Sequence, residues 1–270
     1  MLEIKNFITN KRINYDIKLN YLIVIPCVNR EERGAINIIE RTFESFENSG
    51  LFNSDMDIKI ILFESGSKNT SYLDNIKNKY DKNIEVIYSS IPLNGNTNTL
   101  KMFFYISKLP KNSFDFIIWM DDDIYVCNNF IKNADIWIKN YANFSVFSSL
   151  YVPYNSYPIK NRKYIKLADL PGFYGTCCTI FKPELSKIVI PNWFNHHFEK
   201  FQYNPDTRFR DSVKNKFPFV KKICVSYPSL VQHMNIGSAI KKKKVVSIGH
   251  KTDNFIGENI DPEIYIKDIY

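Results

Sequence analysis

The sequence predicts an α/β fold, with a mostly parallel central sheet and helices on both of its faces. Two observations predict it. Apolar, strand-like runs alternate with amphipathic, helix-like runs through the first half of the chain. The first strand-like run is continuously apolar, consistent with a buried strand, and strands joined through helices pair in parallel.

The elements follow in order. "YLIVIPCV" (21–28) is rich in β-branched residues and reads as the first buried strand. "RGAINIIERTFESFENSG" (33–50) has apolar residues at helical spacing, with Gly50 as its stop. "DIKIILFE" (57–64) is the second strand, and "TSYLDNIKNKY" (70–80) a helix capped by Thr70 or Ser71. "NIEVIYSS" (83–90) is the third strand, and "NTNTLKMFFYISKL" (96–109) the next helix. "FDFIIWM" (114–120) is the fourth strand, and "NNFIKNADIWIKNY" (128–141) the helix after it. The second half is less regular. "SVFSSLYVP" (145–153) and "YGTCCTIF" (174–181) read as strands, and "PDTRFRDSVKNKF" (205–217) as a short amphipathic helix. "KKICVSYPSLVQHM" (221–234) holds one more strand and leads to a histidine. Residues 21–257 are expected to form one domain, with an extension over 1–20 and a tail over 258–270.

Composition narrows the class. Apolar residues make up 44% of the chain, enough for a packed core and too many for disorder. The net charge of +8 suits an anionic partner: a phosphorylated small molecule, a nucleic acid or a membrane surface. The five cysteines are odd in number and form no C-x-x-C pair. A reducing compartment fits them, and a cysteine-based zinc site is not expected. Residues 1–20 carry charges throughout and lack the apolar core of a secretory signal. No run approaches the roughly 20 apolar residues of a membrane span. A soluble, cytoplasmic protein is expected, with peripheral membrane contact through its lysines left open.

The chemistry centres on Asp121, Asp122 and Asp123, which end the fourth strand. Adjacent carboxylates raise one another's cost of ionisation, so a compensating positive charge is expected. In parallel sheets ligands bind beyond the carboxyl ends of the strands, where these aspartates lie. Strand alternation would put Asp121 and Asp123 on one side and Asp122 on the other. Such carboxylates suit Mn²⁺ or Mg²⁺ carrying a diphosphate; an ordinary acidic turn is the alternative. His233 ends a strand and enters a polar loop, and neutral imidazole suits Mn²⁺. It is the expected ligand opposite Asp123. Lys241 to Lys244 follow and either reach phosphate or face solvent.

Four stretches carry a family resemblance. "IPCVNREE", "NGNTNTLKMFFYIS", "WMDDDIYVCNNF" and "YPSLVQHMNIGSAI" resemble, in this order, segments of the GT-A glycosyltransferases with a D-x-D motif. Within that class the chain resembles the N-acetylglucosaminyltransferase IV family and related bacterial and viral transferases. "DNFIGENI" (253–260) resembles the tail of the bacterial relatives. Two positions depart from the pattern. Asp121 stands where better-known members have Glu, and Asn235 intervenes before Gly237 in the loop after His233.

The resemblance implies a UDP-sugar donor, a glycan or lipid-linked glycan acceptor, and inversion at the anomeric centre. It implies metal ligation by Asp123, His233 and Asp121, with Mn²⁺ or Mg²⁺ as cofactor. It implies nucleotide-sugar contacts from Arg30, Glu64, Ser65, Asn98, Asp121 and Asp122, and a sugar pocket shaped at Gly175. Residues 21–126 would be the nucleotide-sugar half and 127–257 the acceptor half. An inverting enzyme needs a base on the acceptor side. Asp206 is the first choice, then Asp211, then Glu199. Trp193, Phe194 and Tyr203 would either stack on an acceptor sugar or pack in the core, and His196 and His197 are acceptor contacts or a surface pair. No specific nucleic-acid partner is expected. The alternatives are a metal-dependent nuclease or phosphotransferase, and a non-catalytic sugar- or nucleic-acid-binding protein on the same fold.

Overall fold

The computed structural model describes residues 4–152, 165–170, 173, 177–193, 204–234 and 255. Strands β1 (Asn20–Cys27), β2 (Asp57–Glu64), β3 (Ile84–Ile87) and β4 (Phe116–Met120) are all parallel to their neighbours among these four. Helices α1 (Ile39–Asn48), α2 (Asp74–Tyr80) and α3 (Gly95–Ser107) supply the crossovers between them. A three-residue strand β5 (Ile124–Val126) and helix α4 (Phe130–Tyr141) follow. The second half adds β6 (Phe147–Ser149), β7 (Ile165–Asp169), β8 (Cys178–Phe181), α5 (Leu185–Trp193), α6 (Pro205–Lys216), β9 (Lys222–Ser226) and β10 (Val231–His233).

One eight-stranded sheet runs in the order β3-β2-β1-β4-β8-β6-β9-β7. β8 lies antiparallel between β4 and β6 and joins the two halves of the sheet. β5 and β10 form a separate antiparallel pair.

Side-chain alternation along β1 explains the two layers. Tyr21, Ile23, Ile25 and Cys27 pack on one face with α1, α2 and α4; Leu22 and Val24 pack on the other with α3, α5 and α6. Both faces are covered, so all five residues of β4 are buried. Chain order reverses at β1: β2 and β3 build to one side and β4 to the other. The crevice beyond the carboxyl ends of β1 and β4 is therefore the topological switch point.

Several details differ from the sequence reading. The helix predicted over 33–50 begins only at Ile39, because Gly34 turns the chain at φ +74°; Gly50, at φ +75°, ends it as expected. Helix α5 was not anticipated: its Ile188-Val189-Ile190-Pro191 run carries strand-like residues and an internal proline. β7 and β5 were likewise unanticipated, and "KKICVSYPSLVQHM" holds two strands instead of one. Residues 4–20 pack on the domain. Ile13 and Thr9 donate backbone hydrogen bonds to the carbonyls of Lys139 and Asn143, and Lys139 Nζ donates to the Tyr15 carbonyl. Among the described residues no helix is long and apolar enough to cross a membrane.

Candidate active site

β4 stops at Met120, and the three aspartates form the loop into β5. Helix α1 holds that loop. Thr42 Oγ1 donates to the Asp122 carbonyl at 3.0 Å and accepts from the Ile124 amide, while Ser45 Oγ accepts from the Val126 amide. Neither Thr42 nor Ser45 was anticipated; both sit on the buried face of an otherwise apolar helix stripe, a signal that was legible.

The expected positive charge is Arg30. Its guanidinium is buried and forks onto Asp122, with Nη2 on Oδ1 and Nε 3.4 Å from Oδ2. The same Nη2 lies 3.0 Å from Asp123 Oδ2. Arg30 thus bridges two neighbouring aspartates, so the pleat argument for opposite sides does not apply in this loop. Burial opposes the Arg30 charge, and Asp122 and Asp123 outweigh it, holding the guanidinium charged. Burial raises the Asp122 carboxyl despite Arg30. Asp121 is pushed up to about 7, first by burial and then by the charge of Asp123.

His233 arrives through the β5–β10 pair, directly opposite Ile124. The Met234 amide donates to the Asp123 carbonyl at 2.9 Å, which locks the register beside the acidic loop. His233 Nε2 then lies 3.3 Å from Asp123 Oδ1. Asp121, Cys177 and His233 each offer a ligand atom within 4.8 Å of the others. Carboxylate oxygens and an imidazole nitrogen converge here, with Asp121 held against ionisation. This donor set fits a divalent cation, which would relieve the repulsion. Cys177 is a member that the sequence reading left out, because its nearness to residues 121 and 233 exists only in the fold.

The loops after β1, β2 and β3 are knitted into one rim. The Asn29 amide donates to Ser67 Oγ, Arg33 Nη2 to the Leu93 carbonyl, and the Leu93 amide to the Ser65 carbonyl. Gly66, at φ +80°, lies so close to Ile91 that a Cβ would stand 2.1 Å from its carbonyl oxygen. Glu64 is turned into this rim: its carboxylate accepts from the amides of Gly66 and Ser67 and the hydroxyls of Ser67 and Tyr72. Ser65 Oγ and Asn98 Oδ1 are buried with no hydrogen-bond partner among the described residues, while Asn98 Nδ2 donates to the Phe63 carbonyl.

On the acceptor side, Asp206 stands in the first turn of α6, where the helix dipole favours an anion, and its charge is felt at Cys177. Asp211 is held by Arg210 Nε at 2.8 Å. Trp193 is in the core, 5.6 Å from the Phe103 ring. Gly175, Phe194, His196, His197, Glu199, Tyr203 and Lys241 to Lys244 lie outside the described residues.

No family model matches the chain. No curated protein matches it either. Among solved structures, residues 1–349 of S. aureus TarS align with 77% of this chain and 57% of that one, at 14% identity and a TM-score of 0.48. GalNAc-T7, solved with UDP, GalNAc and Mn²⁺, aligns with 80% of this chain and 43% of that one, at 12% identity and a TM-score of 0.52.

The chain has the GT-A fold.

In a GT-A sheet the acidic loop after β4 and the loop after β1 flank one crevice, which is where Arg30 meets Asp122 and Asp123. The chain spans 57% and 43% of the lengths of the two relatives.

Proposed function

We infer that the chain is a metal-dependent glycosyltransferase, moving a sugar such as N-acetylglucosamine or another hexose from a UDP-sugar to a glycan acceptor with inversion. The observation that carries this reading is the meeting of Asp123 and His233, 3.3 Å apart, at the switch point of a GT-A sheet. GalNAc-T7, a neighbour of that fold, was solved with UDP and Mn²⁺.

Asp123, His233 and Asp121 would hold Mn²⁺ or Mg²⁺. When bound, the cation stabilises the charge that develops on the departing diphosphate. Arg30 bridges Asp122 and Asp123 and fixes the loop. Ser65 Oγ and Asn98 Oδ1, buried and without a hydrogen-bond partner among the described residues, support nucleotide binding beyond β2. Glu64 supports it indirectly by shaping the rim. Asp206, in the first turn of α6, is the base that takes the acceptor hydroxyl proton, with Asp211 the second choice.

The test is calorimetry of UDP with and without Mn²⁺, on wild type and Asp123→Ala. UDP binding that needs Mn²⁺ and disappears in the variant is the expected result. No UDP binding in either condition overturns the donor assignment.

A further inference from the structure

Cys177 is buried in the core and also meets the acidic loop. Its carbonyl accepts the Asp121 amide at 3.4 Å, and its thiol is hydrogen-bonded to the Asp121 carboxylate and to the Tyr151 hydroxyl. The sulfur is thus tied into the acidic loop, and it shares a 4.8 Å span with Asp121 and His233. Donors on one zinc ion lie roughly 3–4 Å apart, so the three side chains need to draw together somewhat to share a cation. The donor set is one oxygen, one sulfur and one nitrogen. Hard cations such as Mg²⁺ favour oxygen alone, whereas borderline cations take mixed sets and keep a fourth position for a further ligand.

We propose that Cys177 is a ligand of the cation site, and that the site takes Zn²⁺ through Asp121, Cys177 and His233 in competition with Mn²⁺. The proposal rests on the cation site of the proposed function and adds a sulfur to its donors. On binding, the S–H bond breaks, the proton passes to solvent and the sulfur electron pair bonds the cation. The Tyr151 hydroxyl then donates to the bound thiolate and fixes its direction. Zinc held this way occupies Asp121 and His233, so it displaces Mn²⁺ and blocks whatever Mn²⁺ supports.

The test is X-ray absorption at the zinc edge on the full chain with one equivalent of Zn²⁺. A sulfur neighbour at about 2.3 Å is expected in wild type. It persists in Cys178→Ser and is lost in Cys177→Ser, where the ratio of Zn²⁺ to Mn²⁺ affinity falls at least about tenfold. Zinc surrounded by nitrogen and oxygen alone in wild type overturns the proposal, as does loss of the sulfur in Cys178→Ser. The wild-type spectrum reads out even if Cys177→Ser fails to fold. UDP calorimetry with Mn²⁺ on the same protein separates the two readings. Mn²⁺-dependent UDP binding beside sulfur-free zinc removes Cys177 and leaves the transferase. Sulfur-bound zinc without any UDP binding supports Cys177 and removes the donor assignment.

Discussion

Replacing Arg30 by alanine would leave Asp122 and Asp123 buried without their counter-charge. Breaking a buried pair from one side costs about 3–5 kcal/mol, and urea unfolding of Arg30→Ala should show that loss. Arg30→Lys should recover only part of it, because an ammonium cannot fork onto two carboxylates. A loss below about 1 kcal/mol in Arg30→Ala would mean that the pair is solvated. Asp121 gives a pH prediction. Its folded value, about 7, stands above the unfolded one, so the folded state binds the proton more tightly. Its contribution to stability is full below about pH 4 and is lost as pH rises through 7. A cation held by the ionised carboxylate reverses that loss. Mn²⁺ should therefore raise the melting temperature more at pH 8 than at pH 5, and equal shifts would remove Asp121 from the cation site. At this scale the sequence shows a need without its answer. Three adjacent aspartates demand a positive charge, but nothing local says that residue 30 supplies it, because the pairing depends on β1 and β4 being neighbours.

The loops and strands carry their own test. Gly66→Ala puts a side chain at φ +80° and a Cβ against the Ile91 carbonyl. The left-handed backbone alone costs about 1–2 kcal/mol in a non-glycine residue, and the clash adds to it. A loss of at least about 2 kcal/mol in thermal or urea unfolding is expected, together with weaker UDP binding, because the rim after β2 and β3 must part. An unchanged protein would show that the two loops are not locked. Elements read well from the sequence where local pattern and packing agree. The strand over 57–64 matches to the residue: its apolar run Ile60 to Phe63 is buried, and the charged Asp57 and Lys59 lie at its exposed start. Elements stabilised by distant partners did not read. β5 is three residues long and exists because β10 pairs with it. α5 is helical against its own β-branched run because Leu185, Val189 and Trp193 bury one face against α3 and α6.

Across the whole molecule, residues 4–20 tie the start of the chain to its middle. Phe7 is buried and meets the Phe217 ring edge-on at 5.9 Å, while Tyr15 bonds Asn140. Phe7→Ala should cost about 3–5 kcal/mol in urea unfolding, as for a core phenylalanine. A cost below about 1 kcal/mol would make the segment an appendage. This docking could not be read in advance, because a charged, weakly patterned segment reveals no partner until α4 is in place. The β5–β10 pair has a consequence of another kind. Arg30 and Asp122 both leave the ribosome before His233, which follows 110 residues after Asp123. At about 5–20 residues per second, several seconds of synthesis separate them. Arg30 can therefore meet the acidic loop before His233 has been made, and the contact between Asp123 and His233 forms later than the contact between Arg30 and Asp122.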